Sequence, residues 1–220
     1  PGPAMALGPG DDCALLQVPF KHQLAVSSDT FVVGVHFFAD MAAHQIAQRC
    51  LAASVSDLAG MGATPAWFNL CLTMPNANAA WVEGFSEGLA AQAQACGISL
   101  AGGDTTQGAL SISIHAMGWV PIGQAMTRSG AQIGDVIMVS GSLGDSAAGL
   151  QVMQHHREAL CELSQRFWNP TPRIALGQWL RNKATACLDI SDGLVQDLGH
   201  ILAASGCGAD LQLQDLPLSS

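Results

Sequence analysis

Five times along this chain an apolar run stops at an aspartate set in a turn. The sites are GDDCALL (10–16), SSDT (27–30), SVSDLAGMG (54–62), GGDTT (102–106) and LDISDG (188–193). The repetition constrains the fold, because buried elements have to end where the carboxylates stand. Any one such aspartate is ordinary, since Asp caps helices and bonds to nearby backbone N–H groups. Asp57 is the exception. It falls in the last turns of an apolar helical stretch, where the helix dipole disfavours a carboxylate and a nearby cation would explain it.

The periodicities between these sites alternate between strand and helix. The run 26–33 reads as a strand interrupted by its polar residues. Ala47, Leu51, Val55 and Leu58 recur at helical spacing and predict a helix over 42–62. A buried strand over 66–73 and a helix over 81–96 capped by Gly97 follow. A short strand over 98–101 leads into GGDTT, and LSISI (110–114) alternates as a half-buried antiparallel strand should. A further strand is expected at 136–139 and a strand-to-turn stretch at 186–193, each turning into a helix, the second over 194–204, and LQLQDLPLSS (211–220) reads as a strand start. A boundary near 123–134 divides the chain into an N-terminal domain over 1–123 and a C-terminal domain over 124–220, the latter unfinished at the chain's end.

Apolar residues make up 49% and charged ones 11%, so a folded protein is expected. The net charge of −9, with Lys21 and Lys183 the only lysines, argues against nucleic acid or an anionic membrane as partner. Every long apolar run is broken by Gly, Pro or Asp, and PGPAMALGPG lacks the features of a secretion signal. A cytoplasmic protein is the expectation, with its seven scattered cysteines reduced and in the core. His155-His156 before Arg157 reads as solvated helix surface, and Trp67, Trp81, Trp119 and Trp168 as core.

Thirteen Asp against four Glu suits short, rigid metal coordination. Carboxylates gathered in one cleft repel, by ~4 kcal/mol for a pair ~4 Å apart at an effective dielectric of 20. A divalent ion removes the conflict, and all-oxygen ligands favour Mg²⁺. GSLGDSA (141–147) has a phosphate loop's glycines but no following Lys, so it reads either as amides offered to an anion or as a tight turn capped by Asp145 or Ser146.

GDDCALL, SSDTFVVGVHF, SVSDLAGMGATPAWF, AGGDTTQG, RSGAQIGD, SGSLGDSAAGL and DISDGLVQDLGHI, in this order, resemble the thiamine-monophosphate kinases of the PurM-like (aminoimidazole-ribonucleotide synthetase) superfamily. The resemblance implies an α/β N-terminal domain whose sheet pairs with that of a second subunit, then an α+β C-terminal domain. It implies transfer of the ATP γ-phosphoryl group to thiamine phosphate in a homodimer. By the family pattern Asp12, Ser27, Ser28, Asp29, Asp57, Asp104 and Asp189 map to magnesium ligands, and Asp192 to a further ion. Gly103, Asp104, Arg128 and Ser191 match ATP contacts, His36 a thiamine-phosphate contact, and Asp57, Asp104 and Arg128 carry the chemistry. Family members extend beyond position 220, so the substrate pocket is expected to be incomplete here. The alternatives are another ATP-dependent synthetase of the superfamily, or a non-catalytic Mg-nucleotide-binding dimerisation fragment.

Overall fold

The computed structural model describes residues 5–155 and 162–219. Its N-terminal half is a four-stranded sheet with two helices on one face. The strands are β3 (His22–Val32), β4 (Thr64–Met74), β5 (Ser99–Gln107) and β6 (Ser111–Pro121), after a small hairpin of β1 (Met5–Leu7) and β2 (Leu15–Leu16). The order is β3-β6-β4-β5, with β4 and β5 parallel and the other pairs antiparallel. The edges are therefore β3 and β5.

Strict alternation along β6 fixes the two faces. Ile112, Ile114, Ala116 and Val120 are buried, while Ser111, Ser113, His115 and Met117 face the other way. The buried set meets α1 (Ala43–Gly60), whose Ile46, Ala47, Leu51, Val55 and Leu58 lie on one stripe, and α2 (Ala79–Cys96), which adds Phe85 and Leu89. Each fully buried Val, Leu, Ile or Phe side chain there stabilises the fold by about 1.5–3 kcal/mol. The Asn78 side chain accepts from the Trp81 N–H (3.2 Å) at the start of α2, and Gly97 ends it in the left-handed conformation the sequence predicts.

The opposite face is covered only in part. Met5, Ala14, Leu16 and Val18 pack over Ala66, Trp67 and Ala101. Trp67 meets Trp119 edge-on at 5.3 Å. Beyond them Leu24 and Val26 on β3 remain about half exposed, at 48% and 59%.

Among the described residues four helices follow: α3 (Asp145–His155), α4 (Glu162–Trp168), α5 (Ile174–Leu180) and α6 (Leu194–Ser205). Helices α4 and α5, not anticipated from periodicity, dock on α1. The strands expected at 136–139 and within 186–193 do not form, and the described residues of 211–219 hold a 3₁₀ turn at Leu213–Asp215 and an isolated bridge of Leu218 to Leu143. These segments are apolar, but no strand among the described residues pairs with them. Val136 and Met138 stand exposed beside an open hollow of about 620 Å³ walled by Ile133, Leu198, Ile201 and Leu216. A second correction concerns GGDTT, which lies within β5. Parallel pairing carries β5 through the motif to Gln107, and Gly103 (φ 157°) lets the backbone pass Leu70, whose carbonyl a Cβ would meet at 1.9 Å. Likewise β3 runs unbroken through SSDT.

The cysteines split. Cys50 and Cys96 are buried, with burial pushing the Cys50 thiol up to about 12, whereas Cys13 is exposed. Cys161, His156 and Arg157 lie outside the described residues. No helix among those residues is long and apolar enough to cross a membrane.

Candidate active site

Strand β3 and the end of α1 build the centre of the site. Ser27 pairs with Ala116 and Asp29 with Ile114, so both side chains point to the helix-covered face. There the Ser27 hydroxyl donates a short hydrogen bond to Asp57 Oδ2. Burial raises Asp57 above the ordinary carboxylate range; the Ser27 bond lowers it, Asp29 raises it and Arg128 lowers it.

The last turn of α1 also receives the segment carrying Asp189. Gly60 approaches it so closely that a Cβ would sit 3.0 Å from the Asp189 nitrogen. Burial raises Asp189 in turn, opposed by a hydrogen bond from Ser56 and reinforced by the charge of Asp57. The Arg128 segment lies alongside: Cys187 N–H donates to the Thr127 carbonyl (2.9 Å). Asp135 Oδ2 accepts from Gln132 N–H (2.9 Å) and the Thr185 hydroxyl (2.6 Å). Ser27, Asp29, Asp57, Arg128 and Asp189 thus share one neighbourhood, with Ser191 within 3.4 Å of Asp189 Oδ2.

The other predicted ligands lie elsewhere in the protomer. Ser28 turns to the opposite face, where its hydroxyl meets His115 Nδ1 at 2.7 Å. Asp104 is in register with Cys71, Ser113 and Thr30 on that same face of β5. Asp12 and Gly103 line a hollow of about 430 Å³ there with Asn69 and Met117. Edge strands β3 and β5 are three spacings apart, roughly 14 Å at ~4.8 Å each, too far for one Mg²⁺ with ~2.1 Å bonds. Among the described residues no three His, Cys, Asp or Glu side chains are grouped to hold a metal ion. Within this chain the predicted ligand set is therefore split in two.

His36 sits in the turn after β3. Its Nδ1 accepts from Val32 N–H (3.0 Å), so the proton is on Nε2. Arg49 of α1 holds that turn by donating from Nε to the His36 carbonyl (3.1 Å). It also donates to the Phe167 carbonyl and lies 3.9 Å from the Phe167 ring centre. Asp192 Oδ2 accepts from Gln196 (3.0 Å). Sequence reasoning missed Arg49 and Asp197; the signal available for each was a charged residue on the apolar stripe or first turn of a predicted helix.

The donor set suits a hard divalent cation. Half-buried carboxylates, each raised by burial and by a neighbouring carboxylate, with hydroxyls beside them, supply oxygen only.

A two-helix-on-sheet half joined to a helical half, with carboxylates facing an arginine at the junction, defines the class. Residues 10–120 match the AIR synthase related protein N-terminal domain and 132–220 its C-terminal domain. The chain belongs to this family. Within it the chain is 50% identical, over 217 residues, to Thiamine-monophosphate kinase of Salmonella typhimurium, covering 96% of this chain and 67% of that protein. Among solved structures, thiamine-monophosphate kinase from Stenotrophomonas maltophilia superposes at a TM-score of 0.92 with 46% identity, covering 98% of this chain and 71% of that one. AaThiL complexed with AMPPCP and TMP superposes at 0.81 with 31% identity, covering 89% and 64%. The chain spans about two thirds of the length of its curated relatives.

Proposed function

We propose that this chain transfers the γ-phosphoryl group of ATP to thiamine phosphate, giving thiamine diphosphate. The observation that carries the reading is the pair of half-buried carboxylates, Asp57 and Asp189, the charge of the first raising the second and Arg128 acting on the first, in a member of this family. Such a pair is costly unless a cation or a phosphate–cation complex lies between them.

Ser27, Asp29, Asp57 and Asp189 would hold Mg²⁺, with Asp192 beside a further ion. When bound, Mg²⁺ neutralises charge on the phosphoryl oxygens. Arg128 offers a planar guanidinium to the same oxygens. His36, with its proton held on Nε2, donates to the phosphate of thiamine phosphate. That acceptor oxygen is already anionic, so an in-line attack needs alignment rather than a strong base. Ser191 lies where its hydroxyl reaches a nucleotide.

The enzyme acts as a homodimer. Asp12, Gly103 and Asp104 on the open face are the half of the set that a protomer cannot use itself. Pairing of the sheet with that of a second subunit would let Asp104 of the partner subunit serve the same nucleotide as the β3 ligands. We place the domain boundary at 123/124, between the two family matches, and the location in the cytoplasm.

The test is incubation with ATP, Mg²⁺ and thiamine phosphate. Thiamine diphosphate that disappears on adding EDTA is the expected result. ATP consumption without it would indicate a different synthetase of the family, and Mg-dependent ATP binding without turnover a non-catalytic fragment.

A further inference from the structure

One buried acid in this region has no part in the reading above. Asp197, in the first turn of α6, is 4% exposed and points back beneath the DISDG loop. A single oxygen, Oδ2, accepts from three successive backbone N–H groups: Ser191 (2.9 Å), Asp192 (3.0 Å) and Gly193 (3.1 Å). Its own N–H donates to the Gly193 carbonyl (3.0 Å), closing the loop onto the helix.

Three consecutive amides converging on one point form the kind of concavity that binds phosphate oxygens, here at a helix start whose dipole favours negative charge. In this protein an internal carboxylate fills it. The amides of 191–193 are therefore spent before any nucleotide arrives. What remains for a ligand is the loop's outer surface, including the side chains of Asp189, Ser191 and Asp192. Gly193, at φ 117°, makes the bend that allows this.

We propose that Asp197 is a positioning residue: its carboxylate occupies the amide concavity of 191–193 in place of a phosphate and thereby sets Asp189, Ser191 and Asp192 for the cation–nucleotide complex. The role assigned to those three residues rests on the kinase reading; the hold on the loop does not. Charge matters because hydrogen bonds to an ionised acceptor are about twice as strong as neutral ones. Asp197→Asn keeps an acceptor oxygen without the charge, and Asp197→Ala removes both.

Two measurements on the full chain test this. Hydrogen exchange followed by NMR should find the amides of 191–193 protected in the ligand-free wild type and unchanged on adding MgATP. In Asp197→Asn they should lose about tenfold in protection while those of β4 and β6 keep theirs. Unprotected wild-type amides, or protection appearing only with nucleotide, would overturn the proposal even if neither variant folds. Kinetically, Asp197→Asn should raise the KM for MgATP about tenfold, Asp197→Ala more so. The KM for thiamine phosphate should stay within about twofold, and excess Mg²⁺ should recover part of the loss, as for a displaced ligand shell. An equal rise in both KM values at all Mg²⁺ concentrations marks a general structural role and refutes positioning. A wild type that makes no thiamine diphosphate sinks the kinase reading alone, and the exchange contrast still decides what Asp197 does.

Discussion

Asp57 stands where three influences meet: burial, the charge of Asp29, and the negative end of α1. Its replacement by Asn keeps the shape and an acceptor for the Ser27 hydroxyl while deleting the charge. Turnover should fall on the order of a thousandfold or more, whereas the melting temperature should hold or rise by about 2 °C. Kinetics and a thermal melt on one sample check both halves; near-normal turnover would refute the metal role. The same site sets a pH dependence. Asp57 and Asp189 are raised in the fold, so their protonated forms contribute stability that is fully present below the ordinary aspartate range. That contribution is lost as pH rises through the raised values. Mg²⁺ counters this only where the carboxylates are ionised. At a hundredfold excess over its dissociation constant it adds ~2.7 kcal/mol, roughly 5–10 °C for a chain this long. The rise should be large near pH ~7.5 and small near pH ~4.5, and equal rises would contradict the assignment.

At the scale of elements, α1 joins the two halves through Arg49 as well as through Asp57. The Arg49 guanidinium loses solvent on burial, which lowers its pKa, yet it holds the His36 and Phe167 carbonyls and covers the Phe167 ring. Arg49→Ala should cost ~3 kcal/mol from the charged hydrogen bonds and the ring contact together, about 6–12 °C in the melt. Lys, lacking the planar fork, should restore little of it. A loss under 2 °C (roughly half a kcal/mol at this length) would mean that the clamp is incidental. Elements with a full partner set were legible in the sequence: α1, α2, β4 and β6 each bury a periodic face, and periodicity reports burial. The runs at 136–139 and 186–190 are as apolar as β4 but find no strand to pair with, and composition carries no information about partners. GGDTT misled because its glycines resemble a turn, whereas Gly103 is required by the passage of one backbone over another. The motifs named the candidate residues, but not the sheet face on which each lies. Ser27 and Ser28 are neighbours in sequence and point to opposite faces.

For the whole molecule, the division of the ligand set across the sheet decides how the active site is assembled. Asp57 belongs to the helix side near β3, and Asp104 to the open face of β5 at the other edge. In the homodimer proposed above, Asp57 and Asp104 acting on one nucleotide would come from different protomers. Each dimer would then hold two sites, each using Asp57 from one chain and Asp104 from the other. Asp57→Asn and Asp104→Asn should both be inactive alone. Unfolded together and refolded in equal amounts, half the dimers pair one variant with the other. In such a mixed dimer one site receives both lesions and the second receives neither. About a quarter of wild-type turnover should return, with the melting temperature unchanged and only after subunits have exchanged. If each protomer built its own complete site, every site in the mixture would carry one lesion and no activity would return.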